Sequence, residues 1–404
     1  MKVVALNSLR FARWAGGRDF LRFIAGGLRA QLADKAAFDV VLPKETPALR
    51  LVRRASYLAT SAAHLLGALA VRPELVRNLD VAELERMVEN LELPGSVHSV
   101  ADSLAGLREY VRHRRPWAVL PTMTSLGKNF PVPWVGYIYD FQHRHMPEFF
   151  LPTTRLKRDR VFGAMLREGR AVLVNSRAVE DDVKTFFPEH RARLFRLPFC
   201  PRPTPQWLAL DQPEILSLYR ASEPYFLISN QTWVHKDHAV AIRATRKFLD
   251  AGGRAQLICT GPTHDDRDPT HFSRLLELVR QEGLDDQVRF LGYIPKLHQI
   301  QLMKGALAVI QPTLYEGDPG GGSVYDALGL GMRCIVSDIR VNRELDTPLA
   351  HFFHAGDAEQ LARVMRAVAD VPHLRAGDEL LMRDAQVRLL KFGKVLEAAI
   401  EGAQ

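Results

Sequence analysis

Short runs of consecutive apolar residues alternate along this chain with longer segments in which apolar residues recur every three or four positions. In the first half, the short runs lie at 3–6, 38–43, 117–121, 134–139 and 171–174. Runs of this length predict buried strands. The helical period is found in the stretch that contains Phe20, Ile24 and Leu28, and in 56–71 and about 81–92. Strands that alternate with helices predict a parallel sheet.

Residues 198–224 interrupt this pattern with six prolines, which neither a helix nor a central strand tolerates. A second alternation follows, with predicted strands at 225–229, 256–260, 288–291, 308–311 and 334–336 and helices at 238–251, 272–282, 297–304 and 323–330. The sequence therefore predicts two α/β domains, 1–205 and 206–384. The helical tail could pack on either domain, and we assign about 385–404 to the first.

Composition places the chain among ordinary globular proteins, with 404 residues, 47% of them hydrophobic and 25% charged. Its three cysteines, Cys200, Cys259 and Cys334, form no CxxC pair, which favours a reducing compartment. Five arginines interrupt the first thirty residues, and no apolar run of 18 residues occurs. We therefore expect a cytoplasmic protein without signal peptide or membrane span.

The net charge of +8 is concentrated in the first half. Residues 1–205 hold 32 Lys and Arg against 20 Asp and Glu, whereas residues 206–404 hold 22 against 26. Such asymmetry predicts an anionic partner, either a phospholipid surface or a nucleic acid, with a merely solubilising surface as the alternative. Basic motifs interleaved with aromatic residues are missing from the sequence, so we expect no nucleic acid.

The most informative loop runs from Glu316 to Ser323. A predicted strand ends, Gly317, Gly320, Gly321 and Gly322 follow among acidic residues, and a helix starts at Ser323. Bare backbone amides and a helix N-terminus suit an anionic ligand. The neighbouring carboxylates, Glu316 and Asp326, can accept hydrogen bonds from sugar or ribose hydroxyls. The alternative is a plain glycine-rich turn before a helix.

The stretch from Glu316 to Asp338 resembles the donor-site block of retaining glycosyltransferases of family 4. In that family a Glu-Gly pair precedes a second Glu, a helix of small residues, a Gly, a strand and Ser-Asp. The segments 288–294 and 308–312 resemble the same family in the same order. The resemblance implies a GT-B fold, in which two Rossmann-like domains with parallel sheets face a central cleft.

The resemblance also implies roles for residues of the second domain. Glu316 would contact the transferred sugar, and Asp326 the ribose. The glycines and Ser323 would bind the diphosphate, and the turn from Gly292 to Ile294 would meet the base. Asp326 lies ten residues after Glu316, whereas the family spaces its two glutamates eight apart. The second acid is thus shorter and displaced, which leaves its ribose contact open.

Further candidates lie after other strands. Lys236 would neutralise the departing diphosphate, which is the main electrostatic task in such a transfer. The family carries an arginine where this chain has Asn230, so Arg18 of the first domain is a candidate replacement. Beside it, Gly16 and Gly17 resemble the family's glycine pair, although a tight turn explains a lone pair equally well.

The first domain offers polar residues after the predicted strand 134–139. Asp140 corresponds to an acid common in the family, Tyr139 replaces the family's histidine, and His143 or His145 could supply an imidazole from an extended loop. A surface histidine is the alternative. Ser176 resembles a family serine near the cleft, but a helix N-cap also accounts for it.

Taken together, these residues imply a metal-independent retaining glycosyltransferase that moves a hexose from a nucleotide sugar to an acceptor hydroxyl. The implied partners are a GDP- or UDP-linked donor, a saccharide or lipid-linked saccharide acceptor, and an anionic membrane touched peripherally. No further cofactor is implied. A bacterial surface polysaccharide is the expected product and mannose the favoured sugar. The alternatives are a non-catalytic polyanion binder with a decayed donor site, or another GT-B enzyme such as an epimerase or phosphorylase.

Paired aspartates at 181–182, 265–266 and 285–286 lack the spacing of a DxD metal site after a strand. We therefore interpret all three as solvated turns or helix starts and predict no metal.

Overall fold

The computed structural model describes residues 2–11, 16–44, 95–221 and 224–404. The chain divides into two compact units. The first holds the described residues up to Pro198 together with Val387–Gln404, and the second is Phe199–Gln386. The helices predicted at 56–71 and 81–92 lie outside the described residues.

The first unit contains a parallel sheet with strand order β3-β2-β1-β4-β5-β6-β7. Its strands are β1 (Lys2–Asn7), β2 (Ala36–Pro43), β3 (Val97–Val100), β4 (Ala118–Thr122), β5 (Trp134–Ile138), β6 (Ala171–Val174) and β7 (Arg193–Arg196). Its helices in the described ranges are α1 (Gly17–Leu32), α2 (Leu104–Arg114), the single turn α3 (Gln142–His145), α4 (Pro152–Glu168) and α5 (Arg177–Phe186). A 3₁₀ turn, Pro147–Phe149, precedes α4.

The second unit contains a parallel sheet with strand order β10-β9-β8-β11-β12-β13. Its strands are β8 (Tyr225–Ser229), β9 (Gln256–Thr260), β10 (Val288–Phe290), β11 (Val309–Gln311), β12 (Cys334–Ser337) and β13 (Ala350–Phe353). Its helices are α6 (Pro205–Ala209), α7 (Pro213–Leu218), α8 (His238–Asp250), α9 (His271–Gln281), α10 (Lys296–Gly305), α11 (Gly321–Gly329) and α12 (Ala358–Ala369). The long helix α13 (Asp378–Gly402) begins in this unit and ends in the first.

Each sheet is covered by apolar helix faces, as the sequence pattern requires. In the first unit Leu6 of β1 and Ile24 of α1 are fully buried. In the second, the rings of Phe226 of β8 and Phe248 of α8 meet edge to face, with centroids 5.6 Å apart. Each such side chain contributes about 1.5–3 kcal/mol to the free energy of unfolding. This packing fixes the strands of both sheets and therefore the positions at which the strands end.

The two α/β domains predicted from the sequence are confirmed. The division between them follows Pro198 rather than residue 205, since Phe199 packs on Tyr325 of the second unit with ring centroids 4.3 Å apart. The end of α13 packs on α1, where Glu397 accepts hydrogen bonds from Gln31 at 2.7 Å and Lys35 at 3.1 Å.

Candidate functional site

The loops that follow β8, β9, β10 and β11 meet at the carboxyl edge of the second sheet. The amide of Asn230 donates to the Thr260 carbonyl at 3.0 Å, and the amide of Gly261 donates to the Gly292 carbonyl at 2.8 Å. The amide of Leu314 donates to the His235 carbonyl at 2.8 Å. Ligands of open parallel sheets bind at this edge. The predicted donor-site segments of the second domain are thus neighbours in space.

Lys236 and Glu316 form the charged centre of this edge. The ammonium of Lys236 donates to Glu316 Oε1, and their side chains are only 9% and 11% exposed. Gln311 Nε2 donates to the same carboxylate oxygen at 3.0 Å, and Asn230 Nδ2 donates to Gln311 Oε1. The four side chains form one connected network. Sequence reasoning missed Gln311, the last residue of β11, because it ends an otherwise apolar strand.

The glycine-rich loop lies directly beside this network. Gly320 and Gly321 have φ of +75° and +68°, in the left-handed region. The amide of Gly320 donates to Asn342 Oδ1 at 2.8 Å, and its carbonyl accepts from Gln311 Nε2 at 2.9 Å. A Cβ on Gly321 would lie 3.3 Å from Glu316 Oε1. The loop is therefore fixed to the Lys236–Glu316 pair by its backbone.

The helix that follows presents an open N-terminus. α11 begins at Gly321, and a Cβ added to Gly322 would meet no atom within 4 Å. Ser323 is 6% exposed, and within the described ranges its Oγ has no hydrogen-bond partner. The accessible backbone amides at this N-terminus and the buried Ser323 hydroxyl suit an anionic ligand whose oxygens accept hydrogen bonds from both.

Asp326 forms an ion pair that the sequence did not predict. Its carboxylate accepts from the Lys296 ammonium at the start of α10, and the same ammonium lies 5.2 Å from the Trp207 ring centroid. The exposed fractions are 37% for Lys296 and 17% for Asp326. This ion pair fixes the position of the Asp326 carboxylate. Lys296 had no motif around it that could have singled it out.

The turn predicted to contact the nucleotide base runs from Gly292 to Ile294, and its residues differ in how far they are exposed. Gly292 has a φ of +67°, and a Cβ there would meet no atom within 4 Å. Ile294 is 5% exposed, whereas Tyr293 between them is 47% exposed. The backbone of Gly292 is thus accessible, while Ile294 anchors the turn in the core.

The loop that carries Lys236 is held by an aspartate interpreted from sequence as a solvated turn. Asp265 is in fact 3% exposed. It accepts from Arg267 Nε at 2.9 Å and from the amide of Val234 at 3.3 Å. The interpretation is also wrong for Asp182, which is buried and lies 2.9 Å from His145 Nε2. Both aspartates are buried and have partners that a sequence pattern does not indicate.

Two buried histidines, His235 just before α8 and His238 at its first position, make the second unit sensitive to acid. Burial lowers the pKa of His235 to about 2 and that of His238 to about 3. Both stay neutral in the folded protein, whereas the unfolded chain binds a proton at each near pH 6.5. Because the unfolded state then holds more protons, the free energy of unfolding falls below that pH, by about 1.4 kcal/mol per pH unit for each histidine.

We expect His238→Leu to remove one of these two contributions. Neither ring nitrogen of His238 has a hydrogen-bond partner in the described part of the chain, so the substitution breaks no hydrogen bond there. Urea unfolding of the variant and the parent between pH 7 and pH 5 measures the difference in slope. Equal slopes in the two proteins would contradict the assignment.

In the first unit, Gly16 and Gly17 begin α1, with Gly16 as its N-cap. A Cβ on Gly17 would lie 2.3 Å from the Phe11 carbonyl oxygen, so close packing alone requires this glycine. The side chain of Arg18 lies outside the described part of the structure. The role of the glycine pair in diphosphate binding stays a prediction.

Asp140 and His143 both have partners inside the first unit. Arg158 Nη2 donates to Asp140 Oδ1 at 2.5 Å, and the guanidinium lies 5.0 Å from the Tyr139 ring centroid. His143 is fully buried with Nε2 2.8 Å from Asp159 Oδ1, and burial lowers the pKa of its imidazole. The catalytic assignment of Asp140 and His143 stays a prediction. Their partners, Arg158 and Asp159, hold the two side chains in position.

The surroundings of these residues differ from the sequence interpretation. His143 and His145 do not share a face of an extended loop, because Gln142–His145 forms the helical turn α3. Ser176 accepts from the amide of Val179 at 3.1 Å, as the N-cap of α5. The N-cap alternative therefore explains the position of the Ser176 hydroxyl.

Across residues 2–11, 16–44, 95–221 and 224–404, no group of three or more His, Cys, Asp or Glu side chains is placed to hold a metal ion. Within the same ranges, no helix is both long and apolar enough to cross a membrane.

The fold and the second unit are similar to known glycosyltransferases. Sucrose-phosphate synthase from Thermosynechococcus elongatus superposes with a TM-score of 0.58 at 15% identity, covering 99% of this chain and 97% of its own. Anabaena HepE, solved with UDP-glucose, gives 0.58 at 13%, covering 100% and 98%. The lipopolysaccharide outer core galactosyltransferase WaaB gives 0.57 at 12%, covering 99% of each chain. At these identities the likeness shows the fold, which is GT-B.

The search of curated proteins found no significant sequence match. Residues 217–376 match the family described as Glycosyl transferases group 1. This segment contains every predicted donor-site residue of the second unit. Residues 217–376 are therefore similar to group 1 glycosyltransferases within a GT-B fold, and the protein is an enzyme of the glycosyltransferase class.

Proposed function

We propose that this enzyme transfers a hexose, with retention, from a UDP- or GDP-linked donor bound by the second unit to an acceptor hydroxyl. The observation that carries the proposal is the network of Lys236, Glu316 and Gln311 beside the open N-terminus of α11. A cation, a carboxylate and free backbone amides within one edge match two parts of a nucleotide sugar. The diphosphate needs the cation and the amides, and the sugar hydroxyls need the carboxylate.

Lys236 is the residue that would stabilise the departing diphosphate. An ammonium has three protons to donate, so its bond to Glu316 leaves donor capacity for phosphate oxygens. Burial of the pair lowers the local dielectric constant and strengthens the attraction to the charge that develops as the glycosidic bond breaks. Glu316, fixed by Lys236 and Gln311, would accept from hydroxyls of the sugar.

Retention follows if the acceptor attacks from the face that the diphosphate leaves. The departing diphosphate oxygen then accepts the proton of the acceptor hydroxyl, and the new bond forms on the same side of an oxocarbenium-like sugar. This route needs no protein nucleophile. Positioning and electrostatic stabilisation supply the rate enhancement. The resemblance of the Glu316–Asp338 segment to retaining enzymes supports this part of the proposal.

For the acceptor we propose a saccharide or lipid-linked saccharide held by the first unit, in the assembly of a bacterial surface polysaccharide. The similarity of fold to WaaB, a lipopolysaccharide galactosyltransferase, supports this class of product. We propose a cytoplasmic enzyme in peripheral contact with an anionic membrane, where such acceptors are held. GDP-mannose remains the favoured sugar donor, and HepE, with its bound UDP-glucose, makes the uridine donor the main alternative.

A thermal-shift series tests the donor site. The intact protein is heated with UDP, GDP, ADP and their common sugar conjugates, because a nucleotide that binds the folded state raises the melting temperature. We expect one base to raise it by several degrees at saturating concentration. The same rise should be lost in Lys236→Ala. A protein that shifts with no nucleotide would instead be the non-catalytic polyanion binder.

A further inference from the structure

Two buried polar side chains connect the glycine-rich loop with the loop that carries Lys236, and the proposed contacts with the donor do not use them. Ser337 is the last residue of β12, and Asn342 begins the 3₁₀ turn Asn342–Glu344 that follows this strand. Both are 0% exposed. Burying a polar group is costly unless its hydrogen bonds are satisfied, so the partners of these two side chains indicate what they hold in place.

Asn342 holds the glycine-rich loop at Gly320. Its Oδ1 accepts from the Gly320 amide at 2.8 Å, and its Nδ2 donates to the Ser337 carbonyl at 2.9 Å. The carbonyl of Gly320 accepts from Gln311 Nε2 at 2.9 Å, so both polar groups of this glycine are engaged. Gly320 is the N-cap of α11. The position of the N-terminus of α11 is therefore set by Asn342 and Gln311 together.

Ser337 extends the connection from β12 to the strands beside it. Its hydroxyl donates to the carbonyl of Thr313, which follows β11. The next amide along the chain, that of Leu314, donates to the His235 carbonyl at 2.8 Å, and His235 directly precedes Lys236. Because β12, β11 and β8 are neighbours in the sheet, these hydrogen bonds cross the carboxyl ends of three adjacent strands.

The charged network joins the same two loops by a second route. Gln311 donates to the Gly320 carbonyl and to Glu316, and Glu316 in turn accepts from Lys236. The two loops are thus connected once through the charged side chains and once through Asn342 and Ser337. Hydrogen bonds in a buried network strengthen one another, so the loss of one member affects the others.

We propose that Asn342 and Ser337 are positioning residues for the transfer reaction, which hold the N-terminus of α11 at a fixed place relative to Lys236. In the proposed function the amides of α11 and the ammonium of Lys236 bind the same diphosphate, so their separation decides whether both reach it. A displacement of about 1 Å at a reacting centre can lower the rate roughly 100-fold. The inference rests on the proposed donor site and adds to it two residues that are buried away from the ligand.

Release of nucleotide from UDP-glucose and from GDP-mannose, with water as acceptor, tests the proposal. Ser337→Ala removes the hydroxyl and leaves the Ser337 carbonyl for Asn342, and we expect kcat about tenfold lower with KM within about threefold of the parent. Asn342→Ala also releases Gly320, and we expect a loss in kcat of about 100-fold. The double variant should be no slower than Asn342→Ala, because the connection is already broken.

Tyr225→Phe is the matched control. Tyr225 begins β8, at the amino edge of the same sheet, and its buried hydroxyl donates to the Leu302 carbonyl at 2.7 Å. Loss of this hydrogen bond should lower stability in urea as Ser337→Ala does, and it should leave kcat unchanged. Equal losses of kcat in Tyr225→Phe and Ser337→Ala, or a parent-like kcat in Asn342→Ala, would overturn the proposal.

Amide hydrogen exchange distinguishes failure of this inference from failure of the proposed function. Asn342→Ala should raise exchange about fivefold in both 317–323 and 233–236, the factor that corresponds to the loss of one hydrogen bond, and Tyr225→Phe in neither. An increase confined to 317–323 would refute the connection between the two loops. A parent that releases nucleotide from neither donor would refute the proposed function instead.

Discussion

Replacing Lys236 by methionine should lower turnover of the nucleotide-sugar donor by about 100- to 1000-fold. Removing one preorganised group that stabilises a developing negative charge has an effect of this size in other enzymes. Lys236 is 9% exposed and donates to Glu316, so its charge is close to the reacting diphosphate and poorly screened by water. Release of nucleotide from the donor, with water or an alcohol as acceptor, measures the loss.

The substitution also leaves the carboxylate of Glu316 buried without its cation. Breaking a buried ion pair from one side costs about 3–5 kcal/mol of unfolding free energy. Lys236→Met combined with Glu316→Gln removes both charges, so we expect most of that stability to return while turnover stays low. Lys247→Met is the matched control, because Lys247 pairs with Glu359 on the surface of the same unit. Normal turnover in the stable double variant would contradict the proposed role.

Replacing Gly320 by alanine should destabilise the second unit and weaken nucleotide binding together. Gly320 has a φ of +75°, which costs an L-residue about 1–2 kcal/mol. A Cβ there would also lie 2.5 Å from Val324 Cγ1. The backbone of Gly320 bonds to Asn342 and Gln311, so its displacement moves the network around Glu316. Urea unfolding and nucleotide titration calorimetry report the two effects.

Gly322→Ala distinguishes a loss of nucleotide binding caused by backbone strain from a loss caused by a Cβ that blocks the approach of the ligand. Gly322 lies two residues further on, in α11, and its Cβ would meet open space. Alanine is the better helix former, so we expect stability to be equal or up to about 1 kcal/mol higher. Weaker nucleotide binding at unchanged stability would mean that a phosphate approaches the backbone there. A Gly320→Ala variant as stable as the parent would disprove the strain argument.

The sequence pattern predicts the centre of each sheet better than its edges. β1, β4, β5 and β6 are continuous apolar runs, because central parallel strands are buried on both faces. β3 and β7 are the outer strands of the first sheet, and of their four residues each, β3 has none buried and β7 has one. β13 at the edge of the second sheet also has one buried residue among four. Such strands lack the apolar run on which the prediction depends.

The candidate site can be predicted from the sequence where its functional residues lie just after the ends of strands. Lys236, Glu316 and the glycine loop come directly after strands, and parallel strands bring those points together. Gln311, Lys296 and Asp265 act through partners 5, 30 and 31 residues away in sequence. Their contacts depend on which side chain the folded chain places opposite them. No periodicity or motif encodes that information.

The division of the chain into units has a consequence for its synthesis. The second unit is one uninterrupted segment, Phe199–Gln386, whereas the first needs Val387–Gln404, which is synthesised after the whole of the second unit. Within that segment Glu397 binds Gln31 and Lys35, and Phe392 lies beside Phe23, with ring centroids 6.4 Å apart. The second unit can therefore finish folding during translation before the segment that completes the first unit has been synthesised. Of the two units, the one that is synthesised first is completed second.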